Sequence, residues 1–364
     1  MRIVFTYGTE QRYRRRTGDI TIRGRVETAA HPLAASRFTL NGGAPRAVYV
    51  EDIPDDGVDW TTGYKDTPAE LRCRDQGEFC LEIDADEPAL RPGRNRVEAR
   101  LTGADGREAA AAMHFEWNPE PPAFPIDLRD LSGVCHVQDI GQAVNGAFDI
   151  DHDVNVIRSR GPVAPDALLL VGAPGRSQEA TYAMKFLDPK GAKWLGCGDF
   201  YAGMVDGVPP RGIKVGWSSA GMAALSPVDG ARAFLAWGDH SNDPREWAIA
   251  TNPARRLTVR ARTLYRVRQR ISMHDGEHRV RWRLWPAGAP EPSEWLCDED
   301  TGKLPAHLPR HGSATFGLFQ HFGLPVEWSD ILVREVEDGP DDLPCRDRSV
   351  SREPFLKRVR PGAF

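Results

Sequence analysis

The sequence predicts an all-β protein built as two successive sandwiches. Helical periodicity is almost absent along its 364 residues. Short runs alternating apolar and polar residues recur every ten residues or so, as strands do in a sandwich or barrel. The chain also carries 35 Gly and 29 Pro, which supply the special backbone angles that turns between such strands require.

The N-terminus, "MRIVFTYGTEQRYRRR", reads as a strand followed by a basic loop. It lacks an apolar h-region and a small-residue cleavage site, so a cytoplasmic location is expected. Further strands follow in "DITIRGRVE", "SRFTLNGG", "RAVYVE", "FCLEIDA", "NRVEARLTG" and "AAMHFEW". Four prolines between Pro119 and Pro125, in "EWNPEPPAFPIDLRD", form a stiff linker. The expected organisation is therefore a first sandwich over 1–118, a linker over 119–127 and a larger β-unit over 128–340. The larger unit takes in "DALLLVGA", "EATYAMKFLD", "GIKVGW", "ARAFLAWGDH", "REWAIAT", the pair flanking "SMHDGEH", "SATFGLFQHFG" and "WSDILVREV". The tail, 341–364, is rich in Asp, Arg and Pro and reads as a loosely packed extension.

Composition narrows the partners. A formal net charge of −5 argues against a nucleic-acid binder. No apolar run approaches the length of a membrane span. A homo-oligomer remains open. The six cysteines form no C-x-x-C pair for zinc; reduced thiols are expected, with a Cys73–Cys80 bridge across a hairpin as the alternative.

Two segments resemble known families. "RPGRNRVEARLTGADGREAAAAMHFEW" resembles the closing hairpin of bacterial immunoglobulin-like modules. "LYRVRQRISMHDGEHRVRWRLWPAGAPEPSEWLCDEDTG" with "GSATFGLFQHFGLPVEWSDILV" is similar to the C-terminal half of concanavalin A-like (laminin-G-like) jelly-roll domains of bacterial carbohydrate-active proteins. The resemblance implies an immunoglobulin-like sandwich followed by a concanavalin A-like jelly roll, with an oligo- or polysaccharide as partner. It implies no particular chemistry, because that architecture hosts glycosidases, lyases and lectins. The Glu-x-Asp-x-x-Glu strand of its glycosidases is missing, as are the Arg, Gln-x-His and Tyr motifs of its alginate lyases, so no catalytic residue carries over.

The stretch "RRLTVRARTLYRVRQRI", residues 255–271, is the main functional signal. Read as a strand, it sends Leu257, Val259, Ala261, Tyr265, Val267 and Ile271 to one face and Arg256, Arg260, Arg262, Arg266, Arg268 and Arg270 to the other. Across the next turn, Val280, Trp282 and Leu284 alternate with Arg279, Arg281 and Arg283. The arginine face is either a solvated surface paired with neighbouring carboxylates or a groove whose guanidinium forks bind a saccharide through Arg266 and Arg268.

"DIDHDVN" places Asp149, Asp151 and Asp153 at alternate positions, like the start of a calcium loop. Val154 at the sixth position and Arg160 at the twelfth exclude an EF-hand. These carboxylates either hold a structural calcium or lie opposite the arginine stripe; no cofactor is otherwise required. For hydrolysis the candidate carboxylates are Glu179, Asp239 and Glu294, with Glu179 paired to either of the others. Trp237, His240, Trp295 and His321 are the candidate sugar contacts, through stacking and hydrogen bonds. The leading expectation is a glycoside hydrolase. The alternative is a non-catalytic lectin-like or assembly module. A third reading, a lyase on an acidic glycan using Arg268, Gln269, Tyr265 and His321, conflicts with the inward register of Tyr265 and Gln269.

Overall fold

The computed structural model describes residues 1–13, 20–27, 33–48, 50, 76–161, 163–188, 194–202, 217–226, 232–238, 248–256, 259–274, 277–303 and 315–337. In 163–166, 194–202, 217–226, 232–238, 248–256, 274, 277–278, 297, 299–303 and 321–322 the description is of the backbone. The chain is all-β, with one short 3-10 turn, Val137–Asp139, among the described helical segments. Among the described residues no helix is long and apolar enough to cross a membrane.

The described strands before residue 118 are Arg2–Phe5 (β1), Glu10–Tyr13 (β2), Ile20–Glu27 (β3), Leu33–Leu40 (β4), Arg46–Ala47 (β5), Glu78–Ile83 (β6), Gly93–Gly103 (β7) and Glu108–Trp117 (β8). They form a three-stranded sheet, β1-β3-β6, and a five-stranded sheet, β2-β8-β7-β4-β5. The N-terminal segment belongs to both: β1 pairs antiparallel with β3, and β2 runs parallel to β8. Gly8, at φ 80, lies in the short crossing between them, a backbone angle that a Cβ would strain. Period-two alternation on β7 sends Val97, Ala99 and Leu101 inward. There they meet Ile22, Phe79, Leu81, Met113 and Phe115 in one core. Burying each large side chain contributes about 1.5–3 kcal/mol.

The second group of strands begins with Ile126–Leu128 (β9), so the proline segment runs directly into a sheet. Gln142–Asn145 (β10), Phe148–Asp151 (β11), Val156–Ser159 (β12), Val163–Leu170 (β13) and Gln178–Phe186 (β14) follow. Next come Trp194–Ala202 (β15), Trp217–Ser226 (β16), Arg232–Gly238 (β17) and Ala248–Arg256 (β18). Leu264–His274 (β19), Glu277–Pro286 (β20), Cys297–Lys303 (β21), Thr315–Gly323 (β22) and Val326–Glu335 (β23) complete the series. One sheet runs β10-β13-β22-β15-β16-β17-β18; the other runs β11-β12-β23-β14-β19-β20-β21, with β9 also on β23. Between them Leu169, Val171, Phe316 and Leu318 pack against Tyr182, Met184, Val267, Trp282 and Trp328.

Two expectations change here. Residues 255–271 are not one strand. Arg256 ends β18 in the first of these sheets, whereas β19 begins at Leu264 in the other. Between them, Arg262 takes a left-handed φ of 57 and donates its amide to the Phe186 carbonyl at 2.6 Å. The alternation is genuine only from Tyr265 onward. Nor does the Asp149–Asp153 segment face the stripe: β11 lies four strands from β19, beyond β12, β23 and β14.

The two groups of strands are joined through the N-terminal segment. Tyr7 is buried in the second core, and its phenol accepts the Phe148 amide at 2.9 Å. Arg12 grips the buried Asp139, Nε to Oδ1 at 2.9 Å and Nη2 to Oδ2 at 3.2 Å. Oδ2 of that carboxylate also accepts the Cys135 amide at 3.0 Å. Cys73 lies outside the described residues, so the bridge to Cys80 does too.

Candidate functional site

The outer face of the sheet containing β14, β19 and β20 gathers the charged residues. Tyr265, Val267, Gln269 and Ile271 are buried, so Arg266, Arg268 and Arg270 project outward from β19. β14 lies beside β19 and repeats the alternation, which brings Glu179 onto the same face. Arg268 Nη1 meets Glu179 Oε1 at 2.5 Å. Its other edge holds Glu291 side-on, Nε to Oε1 at 2.7 Å and Nη2 to Oε2 at 3.0 Å. One guanidinium therefore lies between two carboxylates, in the two-bond geometry that arginine favours. Arg266 pairs with Asp330 from β23 at 2.7 Å.

Glu291 comes from the loop between β20 and β21, which folds back over the sheet. Ala287 is tied to the Leu264 carbonyl at 2.9 Å and Leu296 to the Trp282 carbonyl at 2.9 Å. Pro290 and Pro292 flank Glu291 and stiffen the crossing. Arg283 fastens the loop from below, Nη2 to Glu291 Oε1 at 2.5 Å and Nη1 to the Pro292 carbonyl at 2.6 Å. The Trp295 ring lies 4.3 Å from the Arg283 guanidinium and 5.5 Å from that of Arg281, a cation–π arrangement. Arg279 holds Asp298 on β21 with two bonds, at 2.8 and 3.0 Å. This cover explains why Arg279 and Arg281, on the outward register, are only 8% exposed.

The electrostatics follow the geometry. The hydrogen bond to Glu291 is the main influence holding the Arg268 guanidinium above its usual range, against the opposing effect of burial. Burial pulls Arg283 the other way, and the attraction of Glu291 opposes it only in part. Farther along the same sheet, Glu327 is buried between Lys185 and Arg158, with Arg158 Nη2 at 2.5 Å. Burial would raise that carboxyl, but the two cations outweigh it and hold it below the ordinary carboxylate range.

The candidates from the sequence therefore fall in different places. Glu179, Arg266, Arg268 and Trp295 share one face. Glu294 is exposed on the covering loop, next to Trp295. Trp237 lies on β17 and His321 on β22, both in the opposite sheet, and only their backbones are described. Asp239 and His240 lie outside the described residues. Asp149 pairs with Arg160, Nε to Oδ2 at 3.1 Å, and Asp151 with Arg158 at 3.3 Å; Asp153 is exposed in the following turn. Among the described residues no three His, Cys, Asp or Glu side chains gather to hold a metal.

Glu291, Asp330 and Asp298 were not singled out from the sequence. Glu291 stands in "APEPSEW", where its proline neighbours mark a stiff loop but say nothing of its partner. A cleft of about 550 Å³ also opens at the junction of the two groups of strands, lined by Tyr7, Glu10, Cys135, His136, Asp149 and Arg160 among others. Its acidic groups have partners: Asp149 pairs with Arg160, and Glu10 pairs with Arg94 at 3.0 Å, with the His114 ring 3.2 Å from the same oxygen.

No family model matches the chain, and no curated protein is similar to it. Among solved structures it is similar to carbohydrate binding module CBM66 from Bacillus subtilis, at 12% identity and a TM-score of 0.34, over 54% of this chain and 96% of that one. It is also similar to a structure described as a glycosyl hydrolase from Parabacteroides distasonis: 14% identity, TM-score 0.31, 53% of this chain and 85% of that one. A heptameric SAP-like pentraxin from Limulus polyphemus matches at 12% identity and a TM-score of 0.27, over 49% of this chain and 74% of that one. None of these likenesses identifies a ligand or a reaction for this chain.

Proposed function

We propose that the chain is a carbohydrate-binding protein whose ligand face is the outer surface of the sheet carrying β14, β19 and β20. The observation that carries this is the placement of Arg268 between two carboxylates, with Arg266–Asp330 on one side and Trp295 on the other. A sugar hydroxyl both donates and accepts hydrogen bonds, and alternating guanidinium and carboxylate groups offer both partners within one sugar's reach. On this reading the first unit is an immunoglobulin-like sandwich, supported by the division of its N-terminal segment between two sheets. The second is a concanavalin A-like jelly roll, supported by its paired antiparallel sheets.

A glycoside hydrolase is the second reading, favoured by one observation. Glu179 and Glu291 touch the same guanidinium, so their nearest oxygens lie no more than roughly 8 Å apart, below the upper limit of the separation used across a glycosidic bond. Binding is preferred because hydrolysis needs a carboxyl free to hand over a proton, whereas both of these accept from Arg268. The test is a panel of neutral and acidic oligosaccharides, scored for binding and for release of reducing ends. Binding without turnover is expected. Turnover that disappears in Glu179→Gln would establish the hydrolase instead, and no binding to any glycan would reject both.

A further inference from the structure

Resting on that reading, we infer that Glu291 occupies the subsite for a sugar carboxylate, so that the preferred ligand is a uronate-bearing glycan that exchanges with this side chain. The fork around Glu291 has the features of carboxylate recognition. Arg268 contacts both of its oxygens, and Arg283 reaches one of them from a second strand at 2.5 Å. The two arginines stand on strands of the sheet, whereas Glu291 stands on a loop fastened to the face at points that do not include its own carboxylate.

Those points make exchange feasible. The loop ends are secured at Ala287 and Leu296, and Arg283 retains the Pro292 and Ser293 carbonyls, at 2.6 and 3.3 Å, when the carboxylate leaves. Glu291 is 30% exposed at its side chain, so solvent and ligand reach it from outside. Glu179 stays on Arg268 from the opposite edge and keeps that guanidinium oriented. A ligand without an anion would have to leave Glu291 in the fork or strand two arginines, one of them, Arg283, only 15% exposed at its side chain. An incoming carboxylate replaces the same bonds in kind, which makes the fork selective for charge.

The test titrates wild type and Glu291→Gln with oligogalacturonate, its methyl ester and a neutral oligosaccharide of equal length. Glutamine keeps the shape and removes the competing charge, so affinity for oligogalacturonate relative to the neutral chain should rise about 10-fold. The methyl ester should lose that advantage in both proteins. Thermal melts check the fold. Should Glu291→Gln melt early, Glu291→Asp, which keeps the charge but shortens its reach, should show the same direction with a smaller gain. If wild type binds the neutral chain as tightly as oligogalacturonate and neither variant changes the ratio, the carboxylate subsite is rejected while carbohydrate binding stands. If none of the three ligands binds either protein, both fall together.

Discussion

The Phe148 amide donates to the phenol oxygen of Tyr7 at 2.9 Å, so a residue from the N-terminal segment closes the core of the larger pair of sheets. Tyr7→Phe leaves that amide without its acceptor, a loss of about 1–3 kcal/mol. Tyr7→Ala also opens a cavity and should cost about 3–5 kcal/mol, as large aromatic truncations do. Urea unfolding of both variants measures this; a Tyr7→Ala protein as stable as wild type would remove the contact from the account. For the same reason, a fragment spanning 128–340 should melt below the full chain.

Tyr7 also predicts alkaline behaviour. Burial pushes its phenol up to about 12, partly offset by the Phe148 amide and nearby arginines. An unfolded tyrosine ionises near pH ~10. The stabilisation is therefore complete below that value and is lost as pH rises toward 12, because the unfolded state releases its proton first. Wild type should lose more stability across this window than Tyr7→Phe, although the buried Tyr13 contributes a loss of its own in both. Parallel slopes in melts recorded from pH 9 to 12 would contradict the assignment.

At the acid end the relevant group is Glu327, held below the ordinary carboxylate range because the hydrogen bonds from Lys185 and Arg158 outweigh its burial. Its contribution is present above the unfolded value of about 4.3 and lost as pH falls through the lower folded value. Glu327→Gln should be less stable at neutral pH by about 1–3 kcal/mol, less than for a fully buried pair because both cations reach solvent. It should also lose less on acidification. An acid slope equal to that of wild type would rule out Glu327 as a source.

In the smaller pair of sheets the sensitive position is Gly24 on β3. A Cβ there would meet the Phe79 ring, with Cε1 at 2.8 Å, and the Val4 carbonyl at 2.8 Å. Two strands and a core aromatic converge on it, so Gly24→Ala should destabilise by about 1–3 kcal/mol through overpacking. Calorimetry of that single variant decides, and an unchanged transition would mean that the β1–β3 ladder shifts freely.

The face assignments of β19 and β20 were legible in the sequence because strand side chains alternate, and Tyr265, Val267, Trp282 and Leu284 are buried as that rule requires. The stripe misled where it looked continuous: the alternation carried on through Val259 to Arg262, described residues that lie before the start of β19 and outside both sheets. The partners of the arginines were hidden for a different reason. Arg268 meets Glu179 and Glu291 from positions 89 and 23 residues away, and strand order, which brings them together, leaves no periodic mark. Asp149 and Asp151 showed a cation-loop spacing, but each lies against an arginine that pairing of β11 with β12 brings near.

The account rests on the arginine face as a carbohydrate site, and Arg268→Gln tests it most directly. Some stability should be lost, because Glu179 and Glu291 lose their shared donor, so binding is measured well below the melting transition. Calorimetric titration with the best glycan of the panel should show affinity falling at least about 10-fold, the size of a lost charge-assisted hydrogen bond. Full affinity in a variant with lowered stability would show that these arginines only hold the sheet together.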